Sequence, residues 1–300
     1  MFDGIINVYK EKGYTSHDVV ARMRGILKMK KIGHTGTLDP EAEGVLPVCV
    51  GKATKLVDLI TDKDKTYRAV CKLGITTDTQ DMTGKVLKTA EVDINSVELE
   101  KVISSYIGEY LQLPPMFSAI KVDGKKLYEL ARLGKEIERD RRLVIIRNIS
   151  LIDYNPDEQE FTVIVECGKG TYIRTLLHDI GETLGCGAAM KSLLRTEVGA
   201  FRVEEALKLS EIEALVREDK LQAHIVTIDE VFSHYPKLVV ASEFNRLIYN
   251  GNIFTLEHVQ LPPQEAVADM VRVYDSEEHF IGLYVYLSEL KVYKPIKMFL

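Results

Sequence analysis

The sequence has few of the residues that build metal sites and disulfide frameworks. Its 300 residues include four cysteines, which lie far apart and form no C-x-x-C pair. Neither a zinc ribbon nor a set of disulfides is therefore indicated. The seven histidines show neither H-x-x-x-H nor H-E-x-x-H spacing, so the common metalloenzyme signatures are missing as well. We expect no bound metal.

Long apolar segments are also missing. No stretch reaches eighteen uncharged apolar residues, and the opening MFDGIINVYKEKG has no apolar region behind a basic start. A membrane-spanning helix and a secretory signal peptide each require such a segment. We expect a cytoplasmic protein that does not contact a membrane.

The formal net charge of −6 is unevenly distributed along the chain. Residues 1–200 contain 29 basic and 29 acidic side chains, whereas residues 201–300 contain 10 and 16. Residues 22–31 hold five positive charges and no acid, and residues 121–147 hold nine basic residues against five acidic ones. Local basic patches of this kind are typical of nucleic-acid binders, although a solvated helix face has the same composition.

The apolar pattern favours an α+β fold. GIINVYK alternates like a strand, and Ser16 is expected to cap the helix that follows it. RRLVIIRNISLIDY and EFTVIVECG are typical of paired strands, and TYIRTLLHDIGETLG of a helix ended by glycine. Further expected elements are a helix in KATKLVDLI, strands in TYRAVCKLG and GKVLK, a helix near residues 96–107 and a helix in KKLYELARLG. Because strands occur in adjacent runs, α+β is favoured over βαβ winding.

The pattern changes near residues 225–235 to short strands and turns, with a turn at Pro262-Pro263. We therefore expect a larger domain over residues 1–234 and a small β-rich domain over residues 235–300, with a boundary that is accurate to a few residues.

An aperiodic segment from Gly33 to Pro47 follows the first helix. It reads GHTGTLDPEAEGVLP. Its glycines and prolines impose an unusual backbone path, and Asp39 is the single aspartate within it. An ionised carboxylate held on such a loop is able to attack an electron-poor carbon. The alternative is that Asp39-Pro40 simply starts a turn.

The same segment resembles motif II of the TruB-type pseudouridine synthases, whose aspartate in G-H-T-G-x-L-D-P is the catalytic nucleophile. Three further stretches match that family in the same order. They are KTYRAVCKLGITTDTQDMTG, PPMFSAIKVDGKKLYELARLGKE, and CGKGTYIRTLLHDIGETLGCGA continuing into LLRTEVGAF. Together the matches span most of residues 1–200.

The resemblance implies a mixed, largely antiparallel sheet core of the pseudouridine synthase type, followed by a small β-rich PUA-like domain. It also implies the activity. The enzyme breaks the N1–C1′ bond of uridine 55 in the T loop of tRNA, turns the base and rejoins it through C5, without a cofactor. The carboxylate either reacts at C1′, as in retaining glycosidases, or adds to C6 of the base, and the sequence leaves both routes open.

The motif positions imply catalytic roles for Asp39, Tyr67 and Arg174. Asp39 matches the nucleophile. Tyr67 matches the active-site tyrosine whose ring stacks on the target base, and Arg174 matches the arginine that pairs with the nucleophile and keeps it ionised. Without the resemblance, Tyr67 would be an ordinary core tyrosine and Arg174 a surface arginine on a helix.

Three more residues match positions near the flipped base. His34 matches the histidine that enters the T-loop stack when the uridine leaves it, and Leu193 matches the apolar residue that packs on the base opposite the tyrosine. Lys10 matches a lysine near the pocket, although Glu11 follows it where the family usually has proline. Removing a base from its stack costs a few kcal/mol, and stacking on such walls offsets part of that cost.

Residues 121–147 match the RNA-gripping insertion of the family. Within it, Lys125, Lys126, Arg141 and Arg142 are expected to contact phosphates. The implied partner is the T arm of tRNA. We expect a monomer that needs no protein partner, unlike the related guide-RNA-dependent synthases.

Two other functions compete with this one. A non-catalytic RNA-binding or tRNA-folding module needs the basic runs but not Asp39, Tyr67 and Arg174 together, so their joint presence favours an enzyme, with tRNA folding as an accessory role. A P-loop nucleotide enzyme is suggested by VGKAT at residues 50–54, but Leu46 stands where that motif requires its first glycine.

Overall fold

The computed structural model describes residues 2–122, 124–260 and 269–300. Its strands, in chain order, are β1 (Gly4–Lys10), β2 (Ile32–His34), β3 (Glu43–Val50), β4 (Lys65–Leu73), β5 (Ile75–Thr77), β6 (Val86–Thr89), β7 (Gly108–Gln112), β8 (Lys121–Val122), β9 (Lys125–Lys126), β10 (Arg142–Asn155), β11 (Glu160–Cys167), β12 (Ala188–Val198), β13 (Phe201–Arg202), β14 (Ile225–Val226), β15 (Lys237–Val239), β16 (Met270–Tyr274), β17 (Phe280–Leu287) and β18 (Val292–Met298). Its helices are α1 (Ser16–Leu27), α2 (Val57–Thr61), α3 (Ser96–Ser104), α4 (Leu127–Arg132), α5 (Ile173–Thr183), α6 (Leu209–Arg217) and α7 (Asn245–Tyr249). Within the described ranges, no helix has the length and apolar character that crossing a membrane requires.

A large mixed sheet forms the body of the protein. Its strands are ordered β14-β1-β3-β12-β4-β11-β10-β7, with β2 beside β3 and β13 beside β12. Neighbouring strands in this sheet are antiparallel apart from the parallel pair formed by β3 and β12. The fold is therefore α+β with a mixed, largely antiparallel sheet, which confirms the prediction from the sequence.

Helix α5 packs on this sheet because both elements have apolar surfaces of the right period. Along β4 every second residue is buried, from Lys65 to Leu73. On α5 the apolar side chains recur three or four residues apart and form one stripe. The core cluster that joins the two elements includes Tyr67, Ala69, Cys71, Ile173, Leu176, Leu177 and Ile180. This packing holds α5, and with it Arg174 in its first turn, against the sheet.

The start of α1 differs from the prediction by one residue. Thr15, not Ser16, is the N-cap, because the Thr15 side chain accepts a hydrogen bond from the backbone N–H of Asp18. The Asp18 carboxylate in turn accepts one from the backbone N–H of Thr15, which completes a capping box. The side chain of Ser16 is thereby free for a contact with the loop that holds Asp39.

Other predicted elements are confirmed with shifted boundaries. The two long strands β10 and β11 pair antiparallel as expected. Helix α3 ends at Ser104 rather than near residue 107. The segment KATKLVDLI begins as a 3-10 helix over Gly51–Leu56 and becomes α-helical only in α2.

The segment around Asp39 is shorter and more regular than the sequence indicates. Gly33 and His34 belong to β2 and residues 43–47 belong to β3, and these two strands form a hairpin. The irregular part is limited to residues 35–42. Strand β3 shows no apolar alternation because it lies between β1 and β12 and is buried along nearly its whole length, which removes the need for a polar face.

A second sheet, ordered β15-β16-β17-β18, follows towards the C-terminus. Its pairs are antiparallel apart from the parallel pair of β15 and β16. Leu283 and Phe299 from this part of the chain share a core cluster with Ile5 of the large sheet. The expected turn at Pro262-Pro263 lies outside the described residues.

A substitution at Gly44 tests the close contact between β3 and β12. Its φ is +105°, and an added Cβ would lie 2.2 Å from the carbonyl oxygen of Arg195. Because left-handed strain and a backbone clash act together, we expect Gly44→Ala to lower the free energy of unfolding by more than about 3 kcal/mol in chemical denaturation.

The matched control is Gly13→Ala. Gly13 also has a positive φ, of +87°, but nothing lies within 4 Å of its added Cβ. Strain alone should cost this variant about 1 kcal/mol. Equal losses for the two variants would contradict the steric argument.

Candidate active site

The loop of residues 35–42, between β2 and β3, carries Asp39 and is held at both ends. The backbone N–H and the hydroxyl of Thr35 both donate to the carbonyl oxygen of Pro47, at 3.1 and 3.2 Å. Leu38 N donates to Ser16 Oγ at 2.9 Å. Since Ser16 is the first residue of α1, this hydrogen bond ties the residue before Asp39 to the start of a helix.

Lys10, at the end of β1, supports the loop on the other side of Asp39. It is fully buried, and its Nζ donates to the carbonyl oxygens of Ala42 at 2.6 Å and Pro40 at 3.0 Å. Burial lowers the pKa of Lys10 to about 8, although the negative charge of Asp39 opposes this shift. Lys10 therefore acts on the backbone around Asp39.

Arg195, on β12, is a second buried cation beneath the same loop, and the sequence analysis did not single it out. Its side chain is almost fully buried. Nε donates to the carbonyl oxygen of Val45 at 2.7 Å and Nη2 to that of Gly36 at 3.3 Å. Together with Lys10, it satisfies four backbone carbonyls around Asp39, which a buried irregular loop otherwise leaves unpaired.

Asp39 and Arg174 form a two-pronged ion pair. Arg174 Nε lies 2.8 Å from Asp39 Oδ2, and Arg174 Nη2 lies 3.2 Å from Asp39 Oδ1. The guanidinium also donates to the carbonyl oxygens of Thr79 and Phe117, each at 3.0 Å. The Arg174 side chain is 4% exposed and that of Asp39 is 37% exposed. The carboxylate is thus open to a ligand, whereas the arginine is fixed behind it.

Two opposing effects act on the pKa of the Asp39 carboxyl. Burial, the largest effect, raises the pKa, whereas the charge of Arg174 lowers it. The net result is a pKa above the ordinary value of 3.8. The carboxylate therefore depends on Arg174 to remain ionised in a partly desolvated site.

Asp81 is a second carboxylate on the same arginine, and the sequence analysis missed it. Its Oδ2 lies 3.7 Å from Arg174 Nη1, and its Oδ1 accepts hydrogen bonds from Thr79 Oγ1 at 2.7 Å and from Thr83 N at 2.9 Å. The charge of Asp81 raises the pKa of Asp39. Asp81 lies within one of the stretches that match the family. The threonines around it indicate a turn, but they do not indicate where the carboxylate points.

Tyr67 and Leu193 form an apolar wall beside the loop. Tyr67 on β4 lies opposite Arg195 on β12, and Ala69 lies opposite Leu193. Directly paired residues share a face of the sheet, so Tyr67 and Leu193 are diagonal neighbours on one face. Both are buried in the core cluster that also contains Leu38 from the loop. Burial raises the pKa of Tyr67, with Arg195 opposing.

His34, the last residue of β2, precedes the loop directly. It is half-buried, and its Nδ1 is one of the buried polar atoms that have no hydrogen-bond partner in the described part of the chain. Burial lowers its pKa, and the nearby charge of Arg195 lowers it further. The imidazole is consequently neutral near pH 7.

Models of known protein families match most of this chain. The model of the TruB family pseudouridylate synthase (N terminal domain) matches residues 24–173, and the model of the tRNA pseudouridylate synthase B C-terminal domain matches residues 174–233. The chain belongs to the TruB family of pseudouridylate synthases. Asp39 and Tyr67 lie within the first match, and Arg174 is the first residue of the second.

Individual proteins agree with this assignment to the TruB family. The chain is 52% identical to the tRNA pseudouridine synthase B of Lachnoclostridium phytofermentans, over 99% of this chain and 100% of the relative. It is 40% identical to the protein of the same name from Bacillus subtilis, over 99% and 98%.

Solved structures support the TruB-type fold. A Cbf5-Nop10-Gar1 complex contains a chain that is 26% identical, with a TM-score of 0.72 over 99% of this chain and 85% of that one. An H/ACA RNP bound to a substrate RNA containing 2′-deoxyuridine gives the same TM-score at 24% identity, with the same coverage of both chains.

The basic insertion of this TruB-family chain extends from β8 into the first half of β10. Lys125 and Lys126 form β9 of a small hairpin with β8, and the Lys126 ammonium lies 5.4 Å from the centre of the Tyr128 ring. Arg141 donates to the carbonyl oxygen of Leu111 at 3.0 Å, and Arg142 begins β10. The structure thus brings Asp39, Arg174 and the Tyr67 wall together. It places Lys125 and Lys126 in a separate two-stranded sheet and Arg142 beside the edge strand β7.

The described residues contain no group of three or more histidine, cysteine, aspartate or glutamate side chains arranged to hold a metal ion. A cavity of about 270 Å³ lies beside α5, and its lining includes Thr175, His178 and Met116. Neither Asp39 nor Tyr67 lines this cavity, so it is separate from the open face of the Asp39 carboxylate.

The Asp39–Arg174 pair predicts how the Asp39 carboxyl titrates. Because Arg174 stabilises the ionised form, Arg174→Met should raise the pKa of Asp39 further. A ¹³C NMR titration of aspartate side-chain carboxyls measures this shift, with the Asp39 signal assigned by its loss in Asp39→Asn.

Arg147→Met is the matched control for that titration. It removes an exposed arginine that pairs with Asp64 at 3.3 Å and should leave the Asp39 titration unchanged. An Asp39 pKa that is the same in folded Arg174→Met and in the wild type would contradict the electrostatic role of Arg174.

Proposed function

We propose that this chain is a tRNA pseudouridine synthase that converts uridine 55 of the T loop to pseudouridine, with Asp39 as the nucleophile. The observation that carries the proposal is the Asp39–Arg174 ion pair, in which a carboxylate is held by both oxygens on an otherwise irregular loop and remains open to a ligand. The family membership and the names of the relatives support the same activity.

The proposed reaction is an internal rearrangement. The N1–C1′ bond of the uridine breaks, the base turns, a C5–C1′ bond forms, the proton on C5 leaves and N1 gains a proton. No electrons are gained or lost overall, so the proposal includes neither a redox cofactor nor a metal. Attack at C1′ and addition at C6 remain two routes for the same carboxylate oxygen.

Arg174 and Tyr67 have different proposed tasks. Arg174 holds Asp39 ionised and fixes the direction of its oxygens, which is the geometry that a bidentate guanidinium provides. Tyr67 stacks on the uracil ring. Because burial raises its pKa, the hydroxyl stays protonated at neutral pH and acts in the site as a hydrogen-bonding and proton-transfer group.

Leu193 and His34 are proposed to offset the cost of flipping the base. Leu193 packs on the face of the uracil opposite Tyr67. His34, whose imidazole is neutral and has a free buried nitrogen in the described structure, occupies the space that the uridine leaves in the T-loop stack. Stacking of this kind recovers part of the few kcal/mol that unstacking costs.

We propose that the basic insertion also contacts the tRNA. Lys125, Lys126, Arg141 and Arg142 neutralise phosphates of the T arm, and the loop bases supply selectivity. Such an enzyme works as a monomer without a protein partner, in the cytoplasm where tRNA is processed. Lys10 acts indirectly, through the backbone carbonyl oxygens of Pro40 and Ala42.

We also propose the division into a catalytic domain, residues 1–234, and a small PUA-like domain, residues 235–300. The strands up to β14 lie in the large sheet or beside it, and the strands from β15 onwards form the second sheet. Residues 235–300 hold 6 basic and 8 acidic side chains, so they carry no excess of positive charge for binding phosphates, and the second sheet mainly braces the core.

Mapping of the product tests the proposed function directly. Purified protein is incubated with an unmodified tRNA transcript and with a T-arm stem-loop in the presence of EDTA, and pseudouridine is mapped in each. We expect product at uridine 55 in both RNAs. Product at a different position, or none without added metal, would refute the assignment.

Asp39→Asn separates an enzyme from a pure RNA-binding or tRNA-folding module. The variant keeps the size of the side chain but removes the negative charge, so turnover should disappear. Affinity for tRNA should change by less than about tenfold, or roughly 1.4 kcal/mol, because the base walls and the basic insertion remain. Since Arg174 loses its charge partner, the folded fraction is measured first. Product formation near the wild-type rate would overturn the mechanism.

The insertion is tested by replacing Lys125, Lys126, Arg141 and Arg142 with Ala. Each lost phosphate contact should reduce the slope of log affinity against log salt by about 0.7–0.9. Binding of tRNA at several salt concentrations measures this slope.

A control variant removes the same charge from other exposed positions. These are Lys88, Lys101, Arg217 and Lys220. It should retain the wild-type slope, because these residues lie outside the insertion. The same slope in both quadruple variants would exclude a specific role for the insertion.

A further inference from the structure

The first turn of α5 has an uncommon arrangement. The N-cap residue is Tyr172, and no side chain of its own caps the helix. Helix starts leave backbone N–H groups without intrahelical partners, and Ser, Thr, Asp or Asn usually satisfies them. Arg174 is the second residue of this helix. A displacement of the first turn therefore also displaces the guanidinium that binds Asp39.

Gln112, which is 60 residues away in sequence, instead holds the backbone of the N-cap residue itself. Its Oε1 accepts a hydrogen bond from Tyr172 N at 2.8 Å, and its Nε2 donates to the carbonyl oxygen of Tyr172 at 2.9 Å. The side chain is 1% exposed. One buried amide thus binds both backbone groups of one residue, as a neighbouring strand would.

The same part of the chain touches Arg174 directly. We call residues 112–117 the insertion root, since they join the end of β7 to the basic insertion. At its far end, the carbonyl oxygen of Phe117 accepts a hydrogen bond from Arg174 Nη2 at 3.0 Å. The insertion root therefore holds α5 at two points, the backbone of its N-cap and the guanidinium itself.

We propose that Gln112 is a positioning residue that fixes the first turn of α5 and thereby holds the Arg174 guanidinium against both oxygens of the Asp39 carboxylate. This inference rests on the proposed function. Gln112 does not touch the substrate and acts through Tyr172 and Arg174. A bidentate pair tolerates little displacement, because each of the two N–H groups must point at its own carboxylate oxygen.

The effect of Gln112 on Asp39 separates positioning from general stability. Without the two amide hydrogen bonds, the first turn of α5 frays and Arg174 pairs with Asp39 for a smaller fraction of the time. The ionised carboxylate then loses stabilisation, so the acid limb of the pH–rate profile moves to higher pH. A variant that only weakens the core lowers the folded fraction without moving this limb.

The test compares Gln112→Met with the wild type on a T-arm stem-loop. The variant keeps the length of the side chain and removes both hydrogen bonds. We expect kcat to fall by about tenfold, with KM unchanged within about twofold, since a misplaced group lowers the rate more than the binding. The midpoint of the acid limb should rise by at least about half a pH unit.

Two further variants keep the test decisive. Tyr154→Phe removes one hydrogen bond, from Tyr154 to the carbonyl oxygen of Ile94 at 2.8 Å, within the same core region, and should leave kcat per folded molecule and the acid limb unchanged. Gln112→Glu keeps the acceptor for Tyr172 N but loses the donor to Tyr172 O. It should lower kcat by at least about threefold, and it replaces Gln112→Met if the latter does not fold.

The outcomes distinguish this inference from the proposed function. If the wild type makes no pseudouridine, the proposed function fails. If the wild type is active and a folded Gln112 variant has the wild-type kcat and acid limb, only the positioning role of Gln112 is overturned. A shifted acid limb in Tyr154→Phe as well would also overturn it, because general loss of stability would then explain the effect.

Discussion

The ion pair between Asp39 and Arg174 is the interaction on which the rest of the site depends. If Asp39 is the nucleophile, as proposed, its carboxylate has to be ionised and yet lie in a pocket that excludes enough water for a base to stack beside it. Burial is the largest effect on the pKa of Asp39 and raises it, and the charge of Arg174 is the largest effect that lowers it. Small changes in the position of Arg174 therefore change the fraction of carboxylate that is ionised.

The loop that presents Asp39 depends on buried cations in place of regular backbone pairing. Lys10 and Arg195 bind its carbonyl oxygens, and Lys65 donates to the carbonyl oxygens of Thr61 and Lys63. With Arg174 there are four buried cations in this region. Of these four, Arg174 is the one for which the described part of the chain provides a carboxylate within 4 Å. All four also donate hydrogen bonds to backbone carbonyl oxygens, and such bonds offset the cost of burying a cation.

The sequence predicted the parts of the site that lie in continuous motifs. Asp39, Tyr67 and Arg174 each lie in a motif that predicts a role for them, and the structure brings Asp39 and Arg174 into contact. The α+β class followed from adjacent strands. Arg195 was missed because the shift in register between Met190 and Ser192 changes which residues of β12 face inward, and a sequence shows no sign of such a bulge. The contact of Gln112 with α5 could not be predicted from the sequence, because its partner is a backbone group 60 residues away.

The insertion root connects the residues that are proposed to bind RNA with the ion pair of Asp39 and Arg174. Phe117 contacts Arg174 and Gln112 holds the start of its helix, and the basic hairpin of β8 and β9 begins only four residues after Phe117. Arg141 also donates to the carbonyl oxygen of Leu111, the residue before Gln112. A phosphate that draws Arg141 towards RNA competes with that hydrogen bond. Arg141, which is proposed to bind a phosphate, is therefore bonded to the residue next to Gln112, so RNA binding and the orientation of Arg174 are expected to be energetically coupled in the proposed enzyme.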